Sequence, residues 1–166
     1  SGKGLKSSEF TLAELLKTKD YVTACFGKWG LGDNEKHLPN TQGFDEYFGI
    51  PYSNDLGWWQ GKPEGFNKKF PPIPIIDSTA MIEENPDQRY LTQRYTDHSM
   101  RFIREHQKEP FFLYLAYSAP HVPLFVSEKF SGSADYGLYG DVMQEMDWSV
   151  GEILKTLKET EIDENT

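Results

Sequence analysis

The sequence is poor in cysteine, in long apolar runs and in positive charge. Cys25 is its one cysteine, which excludes an internal disulfide and a multi-cysteine zinc site within a single chain. It leaves the redox compartment open. No run approaches the roughly 18 apolar residues that mark a membrane span, and residues 1–8 lack the apolar core of a signal peptide. Any export signal is therefore expected outside these residues. Basic groups number 17 against 26 acidic ones, a formal charge of −9. That balance argues against a nucleic-acid or anionic-membrane module, since both need a concentrated positive surface. Local basic groups can still hold a small anion.

The 166 residues suit one domain or part of one. Hydrophobic residues make up 37% and aromatics 14%, so large rings must carry much of the burial. Thr11 to Glu14 reads as a capping box, with Phe10 and Leu15 at hydrophobic-staple positions and Leu12, Leu15 and Leu16 as the apolar stripe of a short helix ending by Asp20. Tyr21 to Phe26 is β-branched and aromatic and stops at Gly27, the pattern of a buried strand. A loop-rich excursion at about 33–88, dense in Gly, Pro, Asn and Asp, is too long for an ordinary connection. Leu91, Tyr95, His98 and Phe102 recur at helical spacing, Phe111 to Ala116 is a second buried strand, and a helix from about Asp141 carries Val142, Met146, Val150, Ile153, Leu154 and Leu157 on one stripe. This order predicts an α/β fold with a mostly parallel sheet covered by helices. Two clear strands are few for such a sheet, so the chain is expected to be part of a longer one.

Three groupings could carry chemistry. Gly27-Lys28-Trp29-Gly30-Leu31-Gly32 follows the first strand, where glycines permit close backbone approach and open α/β sheets bind ligands. It lacks the spacing of a nucleotide-binding phosphate loop. Lys28 is either a ligand-contacting cation or a solvated turn lysine. Pro120-His121-Val122-Pro123 stands beyond the second strand, and its imidazole can donate to an anion or protonate a leaving group. A structural or solvent-facing loop histidine is the alternative. Ser53, Asn54 and Asp55 offer a hydroxyl, an amide and a carboxylate, although such clusters commonly bond only their own turn.

In order along the chain, Gly27-Lys28-Trp29 with Leu31-Gly32, Gln42 to Asp45 leading into Phe48 to Ser53, and Pro110 to Tyr114 ahead of Pro120-His121 resemble the type I sulfatase family, close to the arylsulfatases. The likeness spans nearly the whole chain and is weakest between Leu56 and Asp87. It implies an alkaline-phosphatase-like α/β/α sandwich, with residues 1–166 forming a central part of the catalytic domain. It also implies hydrolysis of small-molecule or carbohydrate sulfate esters, and export to a periplasmic, secreted or lysosomal location. Family members use a formylglycine made from Cys or Ser in a Cys/Ser-x-Pro-x-Arg motif, beside a divalent cation that is usually Ca²⁺. The matching positions are Lys28, Ser53 and His121. The resemblance gives Lys28 the neutralisation of sulfate and leaving-group charge, and Ser53 and His121 hydrogen bonds to the sulfate. His121 is also the candidate proton donor.

Two departures stand out. Cys25 is followed by Phe26-Gly27-Lys28-Trp29 rather than Pro-x-Arg, so it reads as a core residue. The nucleophile and the cation's ligands are expected outside these residues, and the 166 residues alone are expected to be inactive. Gly30 stands where many members carry a histidine that helps release sulfate. The competing readings are a phosphate or phosphonate ester hydrolase of the same superfamily and a non-catalytic protein that binds sulfated glycan. His98 reads as core or near-core, and His37 and His106 have no convincing partner. Asp33, Asp45 and Asp55 lack metal-ligand spacing. Trp58 and Trp59 either stack on a sugar or aryl group or pack beneath a loop.

Overall fold

A computed structural model describes residues 4–56 and 71–166. Trp58 and Trp59 lie outside the described residues. One sheet contains β1 (Val22–Lys28), β2 (Glu46–Ile50), β3 (Pro74–Asp77), β4 (Ala80–Glu84) and β5 (Phe111–Ala116), in the order β4-β3-β2-β1-β5. β2, β1 and β5 are parallel, whereas β3 and β4 are antiparallel additions. The sheet thus has the expected parallel part in β2, β1 and β5 and adds an antiparallel hairpin at one side. The reason is local: β3 returns as β4 through Ser78 and Thr79, with Ser78 at φ 57°, and so short a connection permits only antiparallel pairing. The stretch expected as a loop-rich excursion supplies these strands and β2, together with short 3₁₀ turns at Glu35–His37, Pro39–Thr41 and Gln88–Tyr90.

Strand alternation divides the core. Ala24 and Phe26 join Phe48 and Ile50 beneath Leu91, Tyr95 and Phe102 of α2 (Leu91–Glu105). On the opposite face Cys25 and Tyr47 join Trp29, Phe44 and Ala13 of α1 (Leu12–Lys17). Helices on both faces make the sandwich. Cys25 is fully buried, and desolvation pushes its thiol up to about 12, so it is the expected core residue. His98 is half-buried with its ring stacked 3.7 Å from that of Phe48, which matches its near-core reading.

The capping box forms. Thr11 Oγ1 accepts from the Glu14 amide at 3.1 Å, and Glu14 Oε2 accepts from the Thr11 amide at 2.7 Å. The leucine stripe behaves differently, because Leu12 and Leu15 are exposed and Ala13 is the buried contact. α3 (Gly137–Glu159) begins four residues earlier than expected and packs on α2. Its buried stripe is Val142, Glu145, Ser149, Thr156 and Leu157, while Val150 and Leu154 are exposed. Polar groups on this stripe are partnered across the packing: Thr96 and Ser149 share a hydrogen bond between the helices, and Glu145 Oε2 accepts from the Ser127 amide at 3.2 Å.

Candidate active site

The carboxyl ends of the three parallel strands lie level. Gly27 is paired with both Gly49 and Ala116, and Lys28 with Ile50. The chain therefore leaves the sheet at one edge three times: at Lys28, at Pro51 to Asp55, and at Tyr117 to Pro123. This is the edge at which open α/β sheets bind ligands. β1 continues through Gly27 to Lys28, one step beyond the expected stop, because pairing with β5 persists to Gly27 and pairing with β2 to Lys28. Gly27 has φ 119°, and a Cβ added to it would lie 1.9 Å from the Ala116 carbonyl oxygen. Only glycine permits this approach.

Two bonds carry the pairing past the strand ends. The Trp29 and Gly30 amides donate to the Ile50 and Pro51 carbonyls, each at 3.0 Å. They tie the Lys28 turn to the segment bearing Ser53. The buried Trp29 indole fixes the turn further, donating from Nε1 to the His37 carbonyl at 2.6 Å. His37 is itself buried, with Nδ1 2.8 Å from the Leu5 carbonyl oxygen, so it has the partner that its sequence context did not reveal. Its role is to support the turn.

Ser53, Asn54 and Asp55 do not simply bond their own turn. Among the described residues, Ser53 Oγ, Asn54 Oδ1 and Asp55 Oδ1 are buried atoms without a hydrogen-bond partner. Buried polar atoms of this kind are uncommon and mark positions that a ligand or another segment can satisfy. The Asn54 amide reaches outward instead, donating to Gln88 Oε1 and to the Pro123 carbonyl at 3.2 Å each. His121 is exposed, and its Nδ1 lies 2.6 Å from the Val122 carbonyl oxygen. A carbonyl only accepts, so Nδ1 carries a proton and Nε2 is the nitrogen left for a ligand. Both X-Pro bonds around it, Ala119–Pro120 and Val122–Pro123, are cis. The segment after His121 is held by α3: Asp141 accepts from the Gly132 and Ala134 amides at 2.8 Å each. Those amides, Gly132 first, hold its carboxyl below the usual range. Sequence reasoning missed both Gln88 and Asp141; for Asp141 the available signal was a carboxylate beside Val142 on the buried stripe.

The described residues do not bring together a ligand set for a divalent cation at this edge. Among the described residues, the one His/Cys/Asp/Glu group able to converge on a metal is Glu46, Glu105 and His106. Glu46 is level with Ala24, about 13 Å down the strand from Lys28. Arg101 already bridges Glu46 and Glu105, with both contacts at 2.6 Å, and His106 Nδ1 pairs with Glu109 at 2.7 Å. His106 thus belongs to an ion-pair network. Asp45 is likewise occupied, accepting from the Thr23 amide at 3.0 Å and pairing with Lys17. Buried Cys25 is no candidate for the modified nucleophile.

The fold is an α/β/α scaffold in which Lys28 ends one parallel strand and Ser53 and His121 follow the two strands beside it. The Sulfatase family model matches residues 2–166, and the chain belongs to that family. It is 37% identical over 174 residues to an arylsulfatase of Hemicentrotus pulcherrimus, covering 98% of this chain and 31% of that one. It is 38% identical over 173 residues to the N-acetylgalactosamine-6-sulfatase of Homo sapiens, covering 98% and 32%. The crystal structure of the PsFucS1 sulfatase from Pseudoalteromonas sp. superimposes with a TM-score of 0.81 at 24% identity, covering all of this chain and 38% of that one. The chain spans about a third of the length of the curated relatives it matches. Among the described residues no helix is long and apolar enough to cross a membrane.

Proposed function

We propose that these residues form one wall of the active site of a sulfate monoester hydrolase, with Lys28, Ser53 and His121 facing the sulfate. The observation that carries this reading is the departure of all three segments from one edge of three adjacent parallel strands in a chain of the Sulfatase family. Lys28 supplies fixed positive charge toward the sulfate oxygens and the developing leaving-group charge. The Ser53 hydroxyl, unpartnered among the described residues, has a proton to donate to a sulfate oxygen. His121, with Nδ1 committed to Val122, presents Nε2, which as the imidazolium donates to sulfate or to the departing oxygen. Donors set in advance around developing charge stabilise the transition state without rearrangement.

In our reading a divalent cation, Ca²⁺, and a formylglycine, both held by residues outside these 166, would complete the site, and membership of the family supports this. A carbohydrate sulfate ester is the substrate class that we favour, because one relative is named for N-acetylgalactosamine 6-sulfate chemistry. We also take the protein to be exported, a reading that its membership of the family supports.

The test uses the longer polypeptide that contains these residues, assayed with aryl and carbohydrate sulfates and with matched phosphate esters. Metal-dependent turnover of sulfates in preference to phosphates, with Lys28→Ala lowering kcat/KM by about 10²-fold or more, is expected. Absence of sulfate turnover, or Lys28→Ala at full activity, overturns the proposal.

A further inference from the structure

Two of the three proposed sulfate-facing residues sit on segments far apart in sequence, and one side chain links those segments. Asn54, next to Ser53, is 3% exposed. Its two amide protons are used by two acceptors, Gln88 Oε1 and the carbonyl of Pro123, two residues beyond His121. Gln88 returns a bond from Nε2 to the Asn54 carbonyl at 3.4 Å and is 8% exposed. This reciprocal pair fixes which way the Asn54 amide faces. Asn54, Gln88, Ser118, His121 and Pro123 line a common cavity of about 20 Å³, the size of roughly one water.

The chemistry is selective. A carboxylate in place of the Asn54 amide has no proton for the Pro123 carbonyl and sets two acceptors against each other. Buried this deeply, the pair cannot exchange its bonds for bulk water, so a lost bond leaves the carbonyl unsatisfied. A second link between the Gln88–Tyr90 turn and the segment after Pro123 runs from Arg89 and Tyr90 to Glu128, whose side chain is 73% exposed. The water-exposed link is the weaker constraint. The buried one sets the spacing.

We propose that Asn54 is a positioning residue, holding the His121 loop in register with Ser53 through the Pro123 carbonyl. The inference rests on the proposed function above, since it assigns Asn54 an effect on His121 rather than on the substrate. Misplacing a catalytic group by about 1 Å can cost about 10²-fold in rate, so a loosened loop is felt mainly in kcat.

The experiment uses the longer polypeptide and the variants Asn54→Asp, Gln88→Leu, His121→Ala and Asn54→Asp/His121→Ala, with melting curves establishing that each is folded. Asn54→Asp is expected to lower kcat by about tenfold or more with KM changed less than about threefold. In the His121→Ala background the same change is expected to cost less than about twofold, because its target is already gone. Gln88→Leu is expected to reproduce part of the loss, and it carries the test if Asn54→Asp does not fold. Equal losses from Asn54→Asp with and without His121 would mark a general structural residue and overturn the inference. So would full activity of Asn54→Asp, or of a folded Gln88→Leu where that variant is the test. An active parent that His121→Ala impairs and Asn54→Asp does not refutes this inference alone, whereas a parent without sulfatase activity overturns the function and this inference together.

Discussion

Gly49 lies so close to Gly27 on the neighbouring strand that a Cβ on Gly49 would stand 1.8 Å from the Gly27 carbonyl oxygen. Gly27 in turn leaves no room for a Cβ beneath Ala116. The two glycines let three strand ends converge just before Lys28. Gly49→Ala is expected to force the strands apart and destabilise the fold by about 3 kcal/mol, at the upper end of overpacking costs. Chemical denaturation checks this, and a loss under about 1 kcal/mol would mean that the strands can separate easily.

His121 is expected to matter most where the leaving group needs a proton. In the longer polypeptide, His121→Ala should cost about 10²-fold or more in kcat on a carbohydrate sulfate, whose alkoxide leaves poorly. A nitrophenyl sulfate, whose phenolate leaves readily, should suffer much less. Equal losses on both would restrict His121 to binding sulfate.

Stability should depend on pH through His98. Burial first, then Arg101 and to a lesser degree Arg94, hold its pKa below the ordinary 6.5, against the opposing pull of Asp77 and Glu46. The folded state therefore favours the neutral ring stacked on Phe48, while the unfolded chain takes up a proton near 6.5. The contribution is complete above that pH and is lost as pH falls from there through the lower folded value. His98→Phe should flatten the melting-temperature profile between pH 7.5 and 5.5. An unchanged profile would remove His98 as the cause.

Gly30 is open to substitution. Its φ is 75°, and a Cβ there would meet nothing within 4 Å. Histidine enters this backbone region more readily than most residues. Gly30→His should thus cost about 1 kcal/mol, a fall of about 2–4 °C in melting temperature. A fall beyond about 10 °C would reveal a constraint other than backbone conformation.

The legible parts of the sequence were those decided by neighbours in the chain. The Thr11–Glu14 capping box spans four residues, and the runs at Val22 and Phe111 carry their own strand signal. β2 begins with a charged residue and contains Gly49, while β3 starts at Pro74; their pairing is a tertiary decision. The stripe on α3 misled because Asp141, Glu145 and Ser149 are buried against backbone amides and hydroxyls rather than apolar groups. Lys28 and His121 could be placed at one sheet edge from the order of the elements, whereas Ser53 entered through the family resemblance, because β2 ahead of it carries no strand signal of its own. Asn54 could not be linked to Gln88 and Pro123, which lie 34 and 69 residues away.

The burial of Cys25 gives the protein a built-in reporter. Its thiol lies on β1, between β2 and β5, with none of its surface exposed and its ionisation pushed up to about 12. The thiol becomes reactive when the layer over its face of the sheet, with Ala13, Trp29 and Phe44, opens. A thiol-specific reagent should label the native protein at the rate at which this layer opens and the denatured protein at once, timing the release of α1 and the Trp29 turn that follows Lys28.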